Sequence, residues 1–298
     1  MRIALGPVLY YWPREQLLDF YAHVCGAPVD VVYLGETVCS KRRPLKTDDW
    51  LALARDVADS GKEVVLSTLT LIEAASELSN LRRLCDNGRF RVEANDYAAV
   101  QRLSELGVPF VAGPTMNIYN AHTLRVLHAS GLRRWVPPVE MPRDTVSAMA
   151  EAAHALSPAV ETEVFAYGRM PLAFSARCFA ARAENRPKDD CGFVCLNDPE
   201  GRTMTTQEGD TFLTINGIQT QSGRRANLLP YWLDLQACGA ELLRVSPTPK
   251  DTLPRLALLR AALDTPDTAS ATAPLEEADT VSGYWWGTAG LDPATARE

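Results

Sequence analysis

Long apolar runs and several common catalytic motifs are missing from this sequence. No stretch of about 18 apolar residues occurs, so no membrane-spanning helix is predicted. The patterns G-x-S-x-G, H-E-x-x-H, Walker A and the dinucleotide-binding glycine motif are absent, which weakens hydrolase, zinc-peptidase, nucleoside-triphosphatase and dehydrogenase interpretations. The first residues lack an apolar segment followed by a small-residue cleavage site, so a cytoplasmic protein is expected.

Basic residues are also fewer than acidic residues. The chain has 30 Lys and Arg against 37 Asp and Glu, a formal net charge of −7, which argues against a nucleic-acid-binding protein. A hydrophobic content of 46% and a charged content of 22% are typical of globular proteins. A length of 298 residues is enough for one large α/β domain, and we expect a single domain over 1–298.

Short β-branched runs alternate with amphipathic, helix-like stretches along most of the chain. This alternation predicts an α/β fold, a (β/α)8 TIM-like barrel, with a doubly wound open sheet as the alternative. The predicted strands are residues 2–5, 30–34, 63–67, 91–93, 110–112, 134–137, 161–167 and 242–246. The predicted helices are residues 47–60, 71–84, 98–106, 121–130 and 145–156.

A long insertion, about 168–240, separates the seventh and eighth predicted strands. It contains a predicted hairpin at 211–220. Insertions of this length are usually functional or disordered, and the cysteines within this one favour function. Residues 264–281 have the composition of a flexible segment, and the aromatic tail at 283–287 is expected to dock onto the body or onto a partner.

The cysteines carry the strongest functional signal. An odd count of seven fits a disulfide framework poorly, and clustered cysteines in a reducing compartment more often bind metal. Cys178, Cys191 and Cys195 have the spacing C-x12-C-x3-C, and Cys39 follows the second predicted strand. Because loops after barrel strands share one face, all four are predicted to meet at the barrel mouth.

Four thiolates suit zinc or an iron–sulfur cluster, and unrelated reduced cysteines are the third alternative. The long spacing favours a cubane-sized cluster over zinc, although no compact ferredoxin-type run is present. The other three cysteines, Cys25, Cys85 and Cys238, are expected to be small buried hydrophobic residues.

Charged residues near the predicted mouth are candidates for binding or catalysis. The basic side chains would offset an anionic cluster or bind a carboxylate substrate, or else form a solvated face. Glu163 lies in an apolar strand, so it must pair with an arginine or work at a site. The four histidines show no metal-ligand spacing. The basic candidates are Lys41, Arg42, Arg43, Arg177, Arg182 and Arg186, and the acidic candidates are Glu36, Glu93, Asp96, Glu140 and Glu163.

Several stretches together resemble the collagenase-like peptidase family and, within it, the UbiV branch. The resemblance covers essentially the whole chain. It rests on residues 5–13, 33–36, 38–43, 66–69, 109–113, 175–179, 186–189, 216–220 and 283–285.

The resemblance implies a 4Fe–4S cluster held by Cys39, Cys178, Cys191 and Cys195. It also implies a heterodimer with a UbiU-like paralogue that acts in dioxygen-independent ubiquinone biosynthesis, at hydroxylation of the aromatic ring. Prephenate, the oxygen source of RNA-hydroxylating relatives, is the implied oxygen donor. Glu36, Arg177 and Glu163 are the candidate catalytic residues.

One position departs from the wider family. The family signature has a cysteine seven residues before the one that matches Cys178, whereas this chain has Pro171 there. By resemblance, Cys39 supplies the missing ligand. A peptidase-like hydrolase and a non-catalytic iron–sulfur or electron-relay subunit are the alternative functions, and the lack of a recognisable nucleophile–base pair counts against a peptidase.

Overall fold

The strands were identified in a computed structural model that describes residues 1–265 and 272–292. They are β1 (Arg2–Leu5), β2 (Val31–Leu34), β3 (Glu63–Ser67), β4 (Arg91–Ala94), β5 (Phe110–Ala112), β6 (Leu132–Trp135), β7 (Glu161–Phe174), β8 (Arg202–Thr205), β9 (Thr211–Asn216), β10 (Gln219–Asn227), β11 (Leu242–Val245) and β12 (Thr280–Val281).

Eight of these strands form a closed parallel barrel. β1 to β7 pair in sequence order, and β11 closes the barrel by pairing with both β1 and β7. Their central residues are almost all buried, as expected for parallel strands that are covered on both sides. The predicted (β/α)8 barrel is confirmed, and the open-sheet alternative is wrong because the two end strands are joined.

Helices cover the outside of the barrel. Apolar residues such as Ala99, Val100 and Leu103 of one helix face the strands, and the side chain of Asp96 caps that helix by accepting a bond from the N–H of Ala98. The helices are α1 (Arg14–Cys25), α2 (Thr47–Asp59), α3 (Ala75–Cys85), α4 (Tyr97–Glu105), α5 (Ala121–Ala129), α6 (Arg143–His154), α7 (Phe179–Ala183), α8 (Trp232–Ala237) and α9 (Thr252–Asp264). Among the described residues, no helix has the length and apolar character needed to cross a bilayer.

The insertion begins as a continuation of β7 rather than as a loop. β7 was expected to end at residue 167, but it continues to Phe174. Its second half pairs antiparallel with β10. β10 also pairs with β9, and β9 pairs with β8, so the insertion forms an antiparallel extension of the sheet. Gly168 and Pro171 made the sequence look like a strand end, because both residues weaken ordinary strands. Gly168 has φ +131°, and a Cβ there would lie 2.5 Å from the Cβ of Ser246. Glycine is therefore required where the strand leaves the barrel.

The predicted hairpin is present. β9 and β10 are joined at Gly217 and Ile218, and Gly217 has φ +67°, which suits a tight turn. This hairpin carries Asn216 and Gln219 back over the barrel mouth, where both are buried.

The barrel interior contains a charged layer. The guanidinium of Arg134 lies 2.9 Å from carboxylates of both Glu63 and Glu161. Towards the mouth, Arg244 contacts Glu163 at 2.6 Å and Glu93 at 2.7 Å. Buried charges are costly unless paired, so these ion pairs allow a polar interior.

The carboxyl-terminal part packs on the barrel. Of the segment 264–281, expected to be flexible, residues 266–271 lie outside the described residues. The remainder includes the short 3-10 helix Ala273–Leu275, with Leu275 fully buried, and β12, which pairs with β10. In the aromatic tail, Trp285 is buried and donates an N–H bond of 3.0 Å to Asp234 in α8.

Candidate metal centre at the barrel mouth

Four cysteine side chains approach one another beside the barrel mouth. Cys39 follows β2, whereas Cys178, Cys191 and Cys195 belong to the insertion after β7. All seven cysteines lie in the described residues and all are free thiols. Cys39 and Cys178 pack against the same small apolar cluster, which contains Leu9.

Electrostatic effects link the four thiols. Burial raises the pKa of Cys39, and the nearby Glu36 and Cys178 raise it further. Burial likewise raises the pKa of Cys195, with smaller contributions from Cys178 and Cys191. These thiols are therefore near neighbours, although no group of three or more His, Cys, Asp or Glu side chains within 1–265 and 272–292 is arranged to hold a metal ion.

A buried arginine lies among the thiols. Arg42 is 3% exposed, and it donates to the carbonyl of Leu9 at 2.8 Å and to the side chain of Asn216 at 2.7 Å. Its Nε has no hydrogen-bond partner, and within the described part of the chain no carboxylate lies within 4.0 Å of its guanidinium. Burial opposes its charge, but Glu36, Cys195 and Cys39 together raise the pKa of Arg42. The site therefore contains a fixed positive charge without a contacting counter-ion.

The loop that carries Cys191 and Cys195 has an unusual backbone. Gly192 and Phe193 are both left-handed, with φ +57° and +53°. The Phe193 ring makes an edge contact with Tyr11, at a centroid distance of 5.7 Å. This contact holds the loop against the segment that follows β1, and it stabilises a backbone conformation that phenylalanine rarely adopts.

The basic candidates have different environments. Lys41 bonds Asp189 at 2.8 Å, which links the Cys39 loop to the insertion. Of the predicted basic cluster, Arg42 is the buried member that influences the thiols. The members exposed to solvent are Arg43, Arg177, Arg182 and Arg186.

The acidic candidates mostly have structural partners. Glu36 accepts backbone N–H bonds from Val38 and Cys39, at 2.9 and 3.0 Å, and so shapes the loop that carries the thiol. Glu163 bonds Arg244 and accepts the Tyr33 hydroxyl at 2.5 Å. Of the two alternatives raised from the sequence, Glu163 therefore pairs with an arginine.

The remaining acids and the histidines serve other parts of the fold. Glu93 pairs with Arg244, Asp96 caps α4, and Glu140 accepts the Tyr119 hydroxyl. The histidines lie on the outer helices, where their rings contact groups such as the carbonyl of Pro158. Cys85 and Cys238 are buried, as predicted, and Cys25 is partly buried against the core.

Sequence reasoning missed a second polar group at the mouth. Arg244, Gln219 and Thr37 are all buried and line one pocket there. Arg244 could have been found by the signal that identified Glu163, since it is a charged residue inside an apolar strand. Gln219 and Thr37 lie in stretches whose burial depends on the hairpin, so they give no local signal.

The donor set at the mouth suits an anionic metal cluster. Four cysteine sulfurs are the usual ligands of a 4Fe–4S cluster, which is anionic when held by four thiolates. The buried guanidinium of Arg42, which also interacts with Glu36, would offset part of that charge. By residue type and charge, these side chains match the cofactor that the resemblance implies, whereas their arrangement in the described residues is not that of a metal site.

Solved structures with a similar fold are distant in sequence. A mandelate racemase/muconate lactonizing protein from Paracoccus denitrificans Pd1222 is 17% identical, with a TM-score of 0.40; the alignment covers 55% of this chain and 47% of that protein. Dihydropteroate synthase from Thermus thermophilus is 13% identical, with a TM-score of 0.43 and coverage of 87% and 94%. This chain thus spans less than half of the first of these proteins.

A family comparison gives a more extensive match. The sequence profile of peptidase family U32 matches residues 19–252, which includes seven of the eight barrel strands and the whole Cys-containing insertion. Because the match covers far more than half of the chain, this protein belongs to peptidase family U32, the collagenase-like family that its sequence resembles.

Proposed function

We propose that this protein holds a 4Fe–4S cluster on Cys39, Cys178, Cys191 and Cys195. In this proposal it belongs to the UbiV branch and acts with a UbiU-like paralogue in ubiquinone biosynthesis. The pair hydroxylates the aromatic ring of a ubiquinone precursor without dioxygen, with prephenate as the oxygen donor. When bound, the cluster supplies electron transfer or a position for substrate binding.

The observation that carries the proposal is the group of four free thiols around a buried arginine. Cys39 reaches the group from the loop after β2, whereas the other three come from the insertion after β7. Arg42 stabilises negative charge at the sulfurs and holds the two parts together through Leu9 and Asn216. The Tyr11 ring contacts Phe193 of the Cys-containing loop and lies 6.0 Å from the guanidinium of Arg42.

The exposed surface of the insertion supports a partner chain. Nearly half of the exposed large apolar side chains of the described residues lie between 172 and 212. Apolar patches of this kind often mark protein–protein interfaces. These side chains are Leu172, Phe179, Phe193, Leu196, Met204 and Phe212.

Anaerobic metal analysis tests the cluster. We expect the purified protein to contain about four irons and about four sulfides per chain and to absorb broadly in the visible range. The Cys39→Ser variant should lose most of this iron, whereas Cys25→Ser, which alters a thiol outside the group, should keep it. A folded, colourless and iron-free anaerobic preparation would refute the proposed cofactor.

A second experiment separates a role in the reaction, by catalysis or electron transfer, from a purely structural role. Cells that lack the protein are complemented with wild type or with Cys39→Ala, and are grown without dioxygen. Hydroxylated quinone product and the complex with the paralogue are then measured together. Loss of product with an intact complex supports a role in the reaction, whereas loss of both indicates that the cluster serves assembly.

The alternative of a peptidase rests on the family description. Each histidine of the chain lies on an outer helix, away from the thiols of the mouth. Burial raises the pKa of both Cys39 and Cys195, which disfavours the thiolate form that nucleophilic attack requires. Cleavage of a broad peptide panel by iron-free protein would favour the peptidase over the proposal.

A further inference from the structure

Three buried polar groups that lack hydrogen-bond partners line one pocket at the barrel mouth. They are Nη2 of Arg244, Nε2 of Gln219 and Oγ1 of Thr37, and the three residues are 4%, 0% and 4% exposed. Buried polar groups are nearly always paired in folded proteins, because leaving one unpaired is costly. Three such groups on one pocket indicate that a ligand completes it.

The pocket occupies the position where ligands bind in barrels of this type. Its walls include residues that directly follow strand ends, such as Gly6 after β1, Asn95 after β4 and Ser246 after β11. About 40 Å³ of the pocket is open to water-sized groups. This space suits one polar group of a small molecule, such as a carboxylate, rather than a peptide or a nucleic acid.

The apolar walls adjoin the thiol group. Phe165, Phe174 and Pro171 line the pocket together with Leu9. Leu9 and Phe174 also belong to the apolar cluster that contacts Cys39 and Cys178. The flat apolar part of a bound ligand that contacts these side chains would therefore lie close to the thiols, with one layer of side chains between them.

The unpaired donors are held in place by the other bonds of the same side chains. Arg244 uses Nε to bond Glu163 and Nη1 to bond Glu93. Gln219 uses Oε1 to accept bonds from Asn216 at 3.0 Å and from Gln221 at 2.8 Å. Because these atoms are already engaged, the side chains cannot turn their free N–H groups elsewhere without breaking bonds.

The donors define the chemistry of the ligand. A guanidinium N–H, an amide N–H and a hydroxyl can all donate. A neutral carbonyl oxygen has two lone pairs, whereas a carboxylate offers about four acceptor positions on two oxygens. A carboxylate can therefore satisfy all three groups, and arginine is well suited to bind it.

We propose that this pocket binds the carboxylate of a small, flat, apolar molecule through Arg244, Gln219 and Thr37. The inference rests on the proposed function, because it identifies the class of substrate that would lie beside the cluster. It involves none of the arginines that flank the cysteines in the sequence.

The test uses benzoate as the probe and benzamide as its uncharged counterpart. Full-length protein is purified without air, its iron is determined, and binding of each probe is measured by calorimetry at millimolar concentrations. We expect benzoate to bind and benzamide to bind at least about tenfold more weakly.

The key variant is Thr37→Val, which removes the unpaired hydroxyl at almost constant volume. It should weaken benzoate binding about tenfold. The matched control is Thr214→Val, because Thr214 also has a buried hydroxyl without a partner but does not line the pocket. This control should bind benzoate like wild type.

A second variant, Gln219→Glu, keeps the acceptor oxygen and places a carboxylate where the free amide N–H was. It should abolish benzoate binding by repulsion. The inference is overturned if benzoate does not bind, if benzamide binds equally well, or if Thr37→Val binds like Thr214→Val. Since iron is determined on the same samples, such a failure is distinct from a failure of the proposed cluster.

Discussion

At the scale of single residues, the barrel interior depends on charge pairing. Glu163 and Arg244 are opposite charges in adjacent strands, and each would be costly to bury alone. Glu163 bonds Arg244 and Tyr33 and also lies 3.8 Å from Arg134. One carboxylate thus links the ion pairs at the amino-terminal end of the barrel, where β3 and β7 begin, to the pocket at its mouth.

Replacing that carboxylate tests its structural role. Glu163→Gln removes the charge at the same size and leaves two buried guanidinium groups with reduced compensation. We expect the free energy of unfolding to fall by about 3 kcal/mol, measured by urea denaturation. Glu151→Gln, an identical change at an exposed position of α6, should alter stability by less than about 0.5 kcal/mol. Equal stability of both variants would contradict this role.

Glu161 should make the free energy of unfolding depend on pH, with lower stability in acid. Burial alone would raise the pKa of Glu161, but Arg134, Arg2 and Arg91 outweigh that effect and lower it. A carboxyl whose pKa is lower in the folded state stabilises the protein above its unfolded pKa, and this contribution is lost as the pH falls.

We therefore expect wild-type stability to decline as the pH drops from about 6 to about 3, since the unfolded glutamate pKa is about 4.3. Glu161→Gln should be less stable than wild type near neutral pH and should show a shallower decline in acid. Urea denaturation at a series of pH values measures both slopes. A variant that declines as steeply as wild type would show that other carboxyls control the acid response.

At the scale of elements, the insertion and the loop after β2 form one unit through Arg42. This residue comes from the Cys39 loop, yet its guanidinium bonds Asn216 at the end of β9. Gly217, next in the hairpin, has no room for a side chain, since a Cβ would lie 2.8 Å from Nη2 of Arg42. The hairpin thereby fixes the cation beside Cys39 and Cys195.

Removing the cation should weaken retention of the proposed iron–sulfur cluster. Arg42→Met keeps the approximate length and apolar stem of the side chain but loses the charge and both hydrogen bonds. We expect iron retained after chelator treatment to fall at least about tenfold, because a charge-assisted interaction contributes roughly 1.5–3 kcal/mol. Arg42→Lys should retain an intermediate amount.

Arg182→Met provides the control for that experiment, since Arg182 is exposed in the same region. It should keep iron like wild type. If Arg42→Met and Arg182→Met retain equal iron, the buried arginine has no role at the thiols.

The same elements explain what the sequence could predict. The barrel strands were predictable because each is a short apolar run between turn residues. The loops that carry the four cysteines could be placed because they follow two of those strands, whereas their role as ligands stays a prediction. The second half of β7 was not predictable, because Gly168 and Pro171 are residue types that usually mark the end of a strand. The pocket formed by Thr37, Gln219 and Arg244 was missed because its burial depends on long-range pairing of β10 with β7. Local patterns carry little information about such contacts.

At the scale of the whole molecule, the carboxyl-terminal tail joins distant elements on the outside of the barrel. The carbonyl of Trp285 accepts the N–H of Arg143 at the start of α6, at 2.9 Å. Its indole donates to Asp234 in α8, and Arg143 bonds the same carboxylate at 2.8 Å. One tryptophan therefore contacts α6, which precedes the insertion in the sequence, and α8, which lies near the end of the insertion.

Truncating that side chain should destabilise the whole barrel rather than only its tail. Trp285 is 3% exposed, so Trp285→Ala leaves a cavity and removes the indole's hydrogen bond to Asp234, and we expect a loss of about 3 kcal/mol in the free energy of unfolding. Tyr97→Ala, which removes an aromatic side chain that is 59% exposed, should cost less than about 1 kcal/mol. Urea denaturation followed by circular dichroism measures both. If Trp285→Ala unfolds at the wild-type midpoint, the tail packs on the barrel without contributing to its stability.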